Sequence, residues 1–240
     1  MTLLHTARFA GWIRGHLLCR VEDVPGRVAL TFDDGPSPVY TPRVLDVLAH
    51  YGARATFFTL ARNVTRSHAI VRRMLAEGHE LALHGDLHWP LPLLTPGLIA
   101  REIRRSAAAL AAVPCPRAQL YRPPFGFMVP SQARFVESLG YRAVLGDVYP
   151  EDTYRPGTQV IVERVRTRLQ AGSILILHDG SPYGEADRSQ TVAALERILQ
   201  DMRSRALAGV SVSELLGSAP VAPRPDEHQA LERSTSGGTP

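Results

Sequence analysis

Ionisable side chains follow several apolar segments of this chain. Asp33 and Asp34 come directly after one apolar run, His84 closes another, and His178 follows an uninterrupted apolar run at 174–177. Carboxylates and imidazoles bind divalent cations and transfer protons near neutral pH. Their repeated position predicts a site built where strands end, with groups that can bind a metal ion and transfer protons.

His84 and His88 are four residues apart, a spacing that lets two imidazoles share one metal ion if the segment turns helically or sharply. Two histidines and one carboxylate are a common metal-binding set that leaves positions open for water. Of the adjacent carboxylates Asp33 and Asp34, one can bind the cation while the other stays free as a base. Asp-Asp-Gly-Pro is also ordinary turn chemistry, which is the alternative for this segment alone.

Two further segments carry chemistry. Arg122-Pro-Pro-Phe-Gly is rigid, and its guanidinium can hold a carboxylate at two points; the alternative is a loop with a surface arginine. The His178 imidazole can donate a proton to a leaving group, with Asp152 or Asp147 to polarise it. We expect Asp179 to shape a turn with Gly180.

Strands and helices alternate along the chain. Apolar runs predict strands at 27–32, 55–59, 80–84, 119–122, 141–146, 173–178 and 210–212. Helical periodicity lies between them; the first helix is predicted to have Thr41 as its N-cap and Pro42 at its first position. This alternation predicts an α/β fold, an irregular (β/α) barrel of about seven parallel strands, with all the strand-end residues on one face. The runner-up is an open doubly wound sheet, which the missing glycine-rich loop after the first strand disfavours.

Composition narrows the function classes. The chain has 240 residues, a formal net charge of +4 and an isoelectric point near 9.4. Since no dense basic run contains interleaved aromatic residues, we expect no nucleic-acid partner. Residues 1–20 contain no unbroken apolar stretch of the kind a signal peptide needs, and no run is long enough for a transmembrane segment. We predict an N-terminal extension at 1–23, one domain at 24–217, and a disordered tail at 218–240.

Taken together, these segments resemble the polysaccharide deacetylase family, also called the NodB-like domain or carbohydrate esterase family four. The resemblance covers about residues 27–216. The matching blocks, in the family's order, are Thr31-Phe-Asp-Asp-Gly-Pro, His84-x-x-x-His88, Arg122-Pro-Pro-Phe-Gly, an Asp-bearing block, and Leu175-Ile-Leu-His-Asp. The first block is highly specific, and the ordered set argues strongly against an accidental match.

The resemblance implies a role for each matched residue. Asp34, His84 and His88 would bind a divalent ion, most often Zn²⁺, with Co²⁺ or another divalent ion as alternatives. Asp33 would be the general base, and Arg122 would orient it. His178 would be the general acid. Judged by its distance along the sequence from His178, Asp152 is the better candidate for the carboxylate that supports His178, and Asp147 is the alternative. The backbone N–H of Phe125 would help hold the oxyanion.

The chain departs from the family pattern at three places. Gly85 stands where Ser or Thr usually follows the first histidine, and Asp86 adds a negative charge beside the metal. Phe125 stands where Tyr is commoner. The fourth block lacks the usual Trp, which predicts a different wall for the substrate groove.

The function that the resemblance implies is metal-dependent removal of N-acetyl groups from an amino-sugar polymer, peptidoglycan or chitin-like N-acetylglucosamine, with release of acetate. The alternatives are an acetyl-xylan esterase or a small-molecule amidohydrolase with the same metal site, and a carbohydrate-binding pseudoenzyme. Such substrates lie outside the cytoplasm, so the family suggests an extracytoplasmic or cell-envelope location. Oligomeric state is not predicted.

Overall fold

A computed structural model describes residues 17–116 and 118–217. Parallel strands form one sheet in this part of the chain. In chain order they are β1 (Leu17–Leu18), β2 (Arg27–Asp33), β3 (Thr56–Thr59), β4 (Glu80–Leu83), β5 (Leu120–Tyr121), β6 (Arg142–Val144), β7 (Ile174–His178) and β8 (Ala208–Val210).

The sheet curls into an irregular barrel. Its strand order is β1-β6-β5-β4-β3-β2-β7, and β8 pairs with the start of β2. The curl brings β7 back to the segment after β6: Ile176 N donates to Val148 O at 2.9 Å, and Val148 pairs in parallel with Leu175. The predicted (β/α) barrel of about seven parallel strands is therefore confirmed.

Most of the helices lie on the outside of the sheet, and the last one closes an end of its interior. They are α1 (Tyr40–His50), α2 (Ala61–Val64), α3 (His68–Ala76), α4 (Pro96–Ala111), α5 (Pro130–Ser138), α6 (Thr158–Arg166), α7 (Ser189–Ser204) and α8 (Val212–Leu215). None of these described helices has the length and apolar character needed to cross a membrane.

The core has two layers because side chains alternate along each strand. Phe32 and Phe57 face outward and stack at 5.2 Å within the larger cluster beneath the helices. Ala29 and Phe58 face the barrel interior, and Leu215 of α8 belongs to the same inner cluster. Thr31 and Asp33 share the inner face with Ala29, so β2 points polar groups into the barrel.

The predicted domain limits are only partly covered by the described residues. Residues 1–16 and the predicted tail at 218–240 lie outside them. Leu17–Leu18 pairs with Ala143–Val144, and Arg20 bridges to Ser173, so the sheet begins within the segment predicted to be an extension.

The prediction for the start of α1 is wrong. The helix begins at Tyr40, and Thr41 lies inside it. The hydroxyl of Ser37 instead accepts hydrogen bonds from Val39 N and Tyr40 N, at 3.2 and 3.1 Å. The Thr41 hydroxyl accepts from Ser37 N at 2.7 Å and donates to the Asp179 carboxylate, because the buried end of β7 lies beside it.

Candidate active site

The predicted site residues meet at the carboxyl end of the sheet. Asp33 and His178 are the last residues of the neighbouring strands β2 and β7 and pair in register. His84 follows β4, and Arg122 follows β5. In a parallel barrel these strand ends share one face, which brings residues far apart in sequence together.

One carboxylate and two imidazoles form a compact group. Asp34 Oδ1 lies 3.6 Å from His84 Nε2 and 3.4 Å from His88 Nε2. The three ligand atoms lie within 4.8 Å of one another, and all three residues are buried or nearly so. Atoms this close can contact one common ion.

The orientation of His84 and the low pKa of His88 suit metal binding. His84 Nδ1 lies 2.8 Å from the backbone carbonyl of Arg122, which can only accept, so Nδ1 carries the proton and Nε2 is free. Burial, together with the neighbouring His84, lowers the pKa of His88 to about 4. His88 is therefore neutral near pH 7, and Nε2 is the nitrogen of the His84 ring that is turned toward Asp34.

The loop that carries Asp34 is held closely. Asp34 has a φ of 71°, in the left-handed region that is unfavourable for most residues. Its carbonyl oxygen accepts from Asn63 Nδ2 at 2.8 Å. Gly180 packs against the same carbonyl, where a side chain would collide with it. These contacts come from α2 and from the loop after β7, and they fix the carboxylate beside the imidazoles.

Asp33 is paired inside the barrel with a buried guanidinium. Arg122 NH1 donates to Asp33 Oδ1 at 2.6 Å and to Thr31 Oγ1 at 2.7 Å, and Arg122 lies over the Phe58 ring at 4.0 Å. Burial opposes the charge of Asp33, but Arg122 and the nearby His84 and His178 outweigh it and hold the pKa of this carboxyl below its ordinary value. Asp33 is therefore a carboxylate at neutral pH.

His178, which pairs with Asp33 on the neighbouring strand, is held by Asp152. Asp152 Oδ1 lies 2.9 Å from His178 Nδ1, while Oδ2 accepts from His178 N and from Thr191 Oγ1, each at 2.9 Å. Burial opposes the imidazolium, but Asp152, and then Asp34 and Asp33, raise the pKa of His178 to about 9. The ring is therefore protonated near pH 7.

The alternative partner of His178, Asp147, lies elsewhere. Its carboxylate accepts from Ser173 Oγ at 3.0 Å and from Ile174 N at 2.8 Å, at the start of β7 rather than at its end. The geometry thus gives His178 the Asp152 carboxylate as its partner.

Aromatic rings lie beside His88 and His178 at the rim of the barrel. The Phe125 ring lies 4.5 Å from His88 and is 59% exposed; Phe125 has a φ of 62°. The Tyr149 ring lies 5.8 Å from His178, with its hydroxyl 2.9 Å from Thr153 Oγ1. Tyr149 is thus an aromatic residue beside His178 in the block that lacks the Trp usual in the family.

The departures at Gly85 and Asp86 have local explanations. Gly85 has a φ of 86°, which favours glycine at this position. The Asp86 carboxylate pairs with the exposed Arg105 at 3.0 Å, and Glu102 accepts the Asp86 backbone N–H. The charge of Asp86 is therefore balanced by α4.

Sequence reasoning missed the residues that support the site. They are Asn63, Glu102 and Thr191. Asn63 and Thr191 carry no sequence signal, because each contact joins segments far apart in the chain. Glu102 did carry one: it is a charged residue on the apolar face of α4 beside Ile99 and Ile103. Thr31 belongs to the first matched block, but its hydrogen bond from Arg122 was not predicted. Asp179 also has a contact that was not predicted: it is buried against Thr41, and burial raises its pKa to about 7.

The fold and these side chains define a barrel enzyme equipped for hydrolysis. A family model described as polysaccharide deacetylase matches residues 20–144. A peptidoglycan-N-acetylglucosamine deacetylase from Bacillus cereus is 36% identical over 207 residues, which cover 84% of this chain and 93% of the relative. A chitooligosaccharide deacetylase from Sinorhizobium fredii is 38% identical over 186 residues, which cover 74% and 86%.

A solved structure has the same fold. The crystal structure of a peptidoglycan N-acetylglucosamine deacetylase, in complex with a naphthyl-substituted N-hydroxybenzamide, matches with a TM-score of 0.82 at 23% identity and covers 88% of this chain and 97% of that one. The chain belongs to the polysaccharide deacetylase family. The predicted family and the predicted hydrolase class are confirmed.

Proposed function

We propose that this chain removes N-acetyl groups from N-acetylglucosamine units of an amino-sugar polymer, peptidoglycan or a chitin-like chain, with release of acetate. The observation that carries the proposal is the grouping of Asp34, His84 and His88 at the same rim as the Asp33–Arg122 pair and the His178–Asp152 pair. The activities of the relatives named above support the substrate class.

We propose that Asp34, His84 and His88 hold a divalent cation, with zinc as the expected ion. Asp34 Oδ1 is buried and has no hydrogen-bond partner in the described part of the chain, which suits an oxygen that faces a cation. The mixed imidazole and carboxylate set suits Zn²⁺, and Co²⁺ accepts the same donors. When bound, the cation supplies Lewis-acid chemistry, polarising the acetyl carbonyl and making water more acidic.

Asp33 is the proposed general base. Because Arg122 keeps it ionised, it can take the proton of the attacking water at neutral pH. The same guanidinium fixes the direction of the carboxylate, since it also bonds Thr31. The backbone N–H of Phe125 is proposed to donate to the oxyanion on the attacked carbonyl carbon.

His178 is the proposed general acid. Asp152 occupies Nδ1, so the proton on Nε2 is the one available for the departing amine nitrogen. A pKa of about 9 keeps the ring protonated before the amide bond breaks. Without this proton an amine leaves poorly, which is why the site needs an acid as well as a base.

The test is acetate release by zinc-reconstituted protein from chitooligosaccharides, peptidoglycan fragments, acetylated xylan and small N-acetyl amides. We expect activity on the first two. Preference for acetylated xylan or small amides would overturn the proposed substrate. Asp33→Asn is the matched control, because it should retain zinc and lose turnover; near-parental activity would remove Asp33 from the role of base.

A further inference from the structure

A buried carboxylate outside the site holds the turn between the two histidines. Glu102 lies on α4 and is 4% exposed. Its Oε2 accepts the backbone N–H groups of Asp86 at 3.0 Å and Leu87 at 2.9 Å. Hydrogen bonds from two N–H groups to one buried carboxylate oxygen are strong and directional, so they fix the orientation of both peptide groups.

The carbonyl groups of the same two residues are held from the other side. Arg62 Nε donates to Asp86 O at 3.2 Å, and its NH2 group lies 3.5 Å from Leu87 O. The third nitrogen of the guanidinium donates to Pro182 O at 2.8 Å, in the loop after β7. Glu102 and Arg62 thus hold the turn from opposite sides.

The backbone of this turn decides where His88 points. His84 is oriented by its own hydrogen bond to Arg122 O. His88 Nδ1, in contrast, is buried and has no hydrogen-bond partner among residues 17–116 and 118–217. His88 also has a φ of 56°, a conformation that persists only when the surrounding structure imposes it. Apart from the Phe125 ring, the held turn is what directs its Nε2 at Asp34.

We propose that Glu102 is a positioning residue that sets the affinity of the site for its cation, by holding the Asp86 and Leu87 peptides so that His88 faces Asp34. This inference rests on the proposed metal site. A helix packed only for stability favours an apolar residue at this position, between Ile99 and Ser106 on the buried face of α4. The carboxylate is explained by the two N–H groups that it accepts.

The test compares Glu102→Met with Glu102→Gln. Met has a similar volume and no strong acceptor, so both N–H groups lose their partner, whereas the amide oxygen of Gln can accept both. We expect Glu102→Met to weaken zinc binding by roughly 10–100-fold, measured by competition with a chromophoric chelator, and Glu102→Gln to stay close to the parent. The visible spectrum of cobalt-substituted protein should change in Glu102→Met and be restored in Glu102→Gln.

Two variants of the same helix are matched controls. Arg105→Ala removes an exposed ion pair with the same turn, and Ser106→Ala removes a buried hydroxyl that has no hydrogen-bond partner among the described residues. Both should keep parental zinc affinity. Glu102→Met with the zinc affinity and cobalt spectrum of the parent would overturn the proposal.

The remaining outcomes are also decisive. If Glu102→Met does not fold, Arg62→Met tests the same turn from its carbonyl side, and parental zinc affinity there would overturn the proposal. A parent protein that binds no zinc would refute the metal site itself, and with it the proposed function. A parent that binds zinc while Glu102→Met binds it equally well would refute only the role of Glu102.

Discussion

Replacing Asp152 with Asn tests the role of His178 as proton donor. Oδ2 of Asp152 accepts from two donors, His178 N and Thr191 Oγ1. The side-chain oxygen of Asn is therefore expected to occupy the same position and accept both. The amide NH2 group then faces His178 Nδ1, which must become an acceptor. The imidazolium needs protons on both ring nitrogens, and the variant therefore disfavours it.

The magnitude follows from the pKa of His178. Burial lowers it, but Asp152 and the site carboxylates raise it to about 9. Without the charge of Asp152, burial dominates, and we expect a pKa of about 6.5 or lower. Near pH 8 the protonated fraction of His178 then falls from about 0.9 to about 0.03, a loss of roughly 30-fold. The changed hydrogen bond at Nδ1, which disturbs the tautomer and orientation of the ring, lowers the rate further.

The assay is kcat/KM for acetate release from a chitooligosaccharide by the zinc-loaded protein, across about pH 5 to 10. Because a general acid works in its protonated form, activity falls as pH rises through its pKa. Asp152→Asn should move this alkaline limb down by about 2.5 pH units or more. Asp147→Asn is the matched control, because Asp147 bonds Ser173 and Ile174 instead. An unmoved limb in Asp152→Asn would refute the reasoning.

Three further substitutions test separate contacts. His84→Ala should lower the zinc content measured by elemental analysis, because it removes one proposed donor; one full equivalent of zinc would contradict this. Arg122→Met leaves Asp33 buried without its partner and should lower the free energy of unfolding in urea by about 3–5 kcal/mol; a loss under about 1 kcal/mol would contradict the importance of the pair. Gly180→Ala places a methyl group against Asp34 O and should weaken zinc binding, measured by chelator competition; parental affinity would show that the loop adjusts freely.

The sequence predicts the barrel because its signals are local. The run at 174–177 is apolar and mostly buried and is followed by His178, as the apolar run of β2 is followed by Asp33 and that of β4 by His84. Strand–helix alternation then places those ends on one rim, which is enough to bring Asp33, His84, Arg122 and His178 together. Family resemblance adds the proposed roles, which spacing alone does not supply.

The sequence does not predict contacts that depend on loop conformation. Thr41 follows the ordinary pattern of an N-cap, yet its hydroxyl donates a hydrogen bond to Asp179, because the end of β7 lies close to it. Asp147 and Asp152 are five residues apart, and only the path of the chain between them decides which one reaches His178. These outcomes are set by tertiary packing, which no local pattern encodes.

The position of Glu102 shows what the sequence contained but did not make evident. A carboxylate on the buried face of α4 costs free energy unless it finds donors. The donors are backbone N–H groups of a turn about 15 residues earlier in the chain. A charged residue within a helical apolar stripe is therefore a signal for a backbone partner, although the partner itself is found only in the fold.

The most direct measurement of the central claim is anomalous diffraction at the zinc edge from crystals of zinc-loaded protein. We expect one strong peak about 2.0–2.2 Å from His84 Nε2, His88 Nε2 and an Asp34 carboxylate oxygen. A peak bound by other residues, or no peak among these three after reconstitution, would contradict the account.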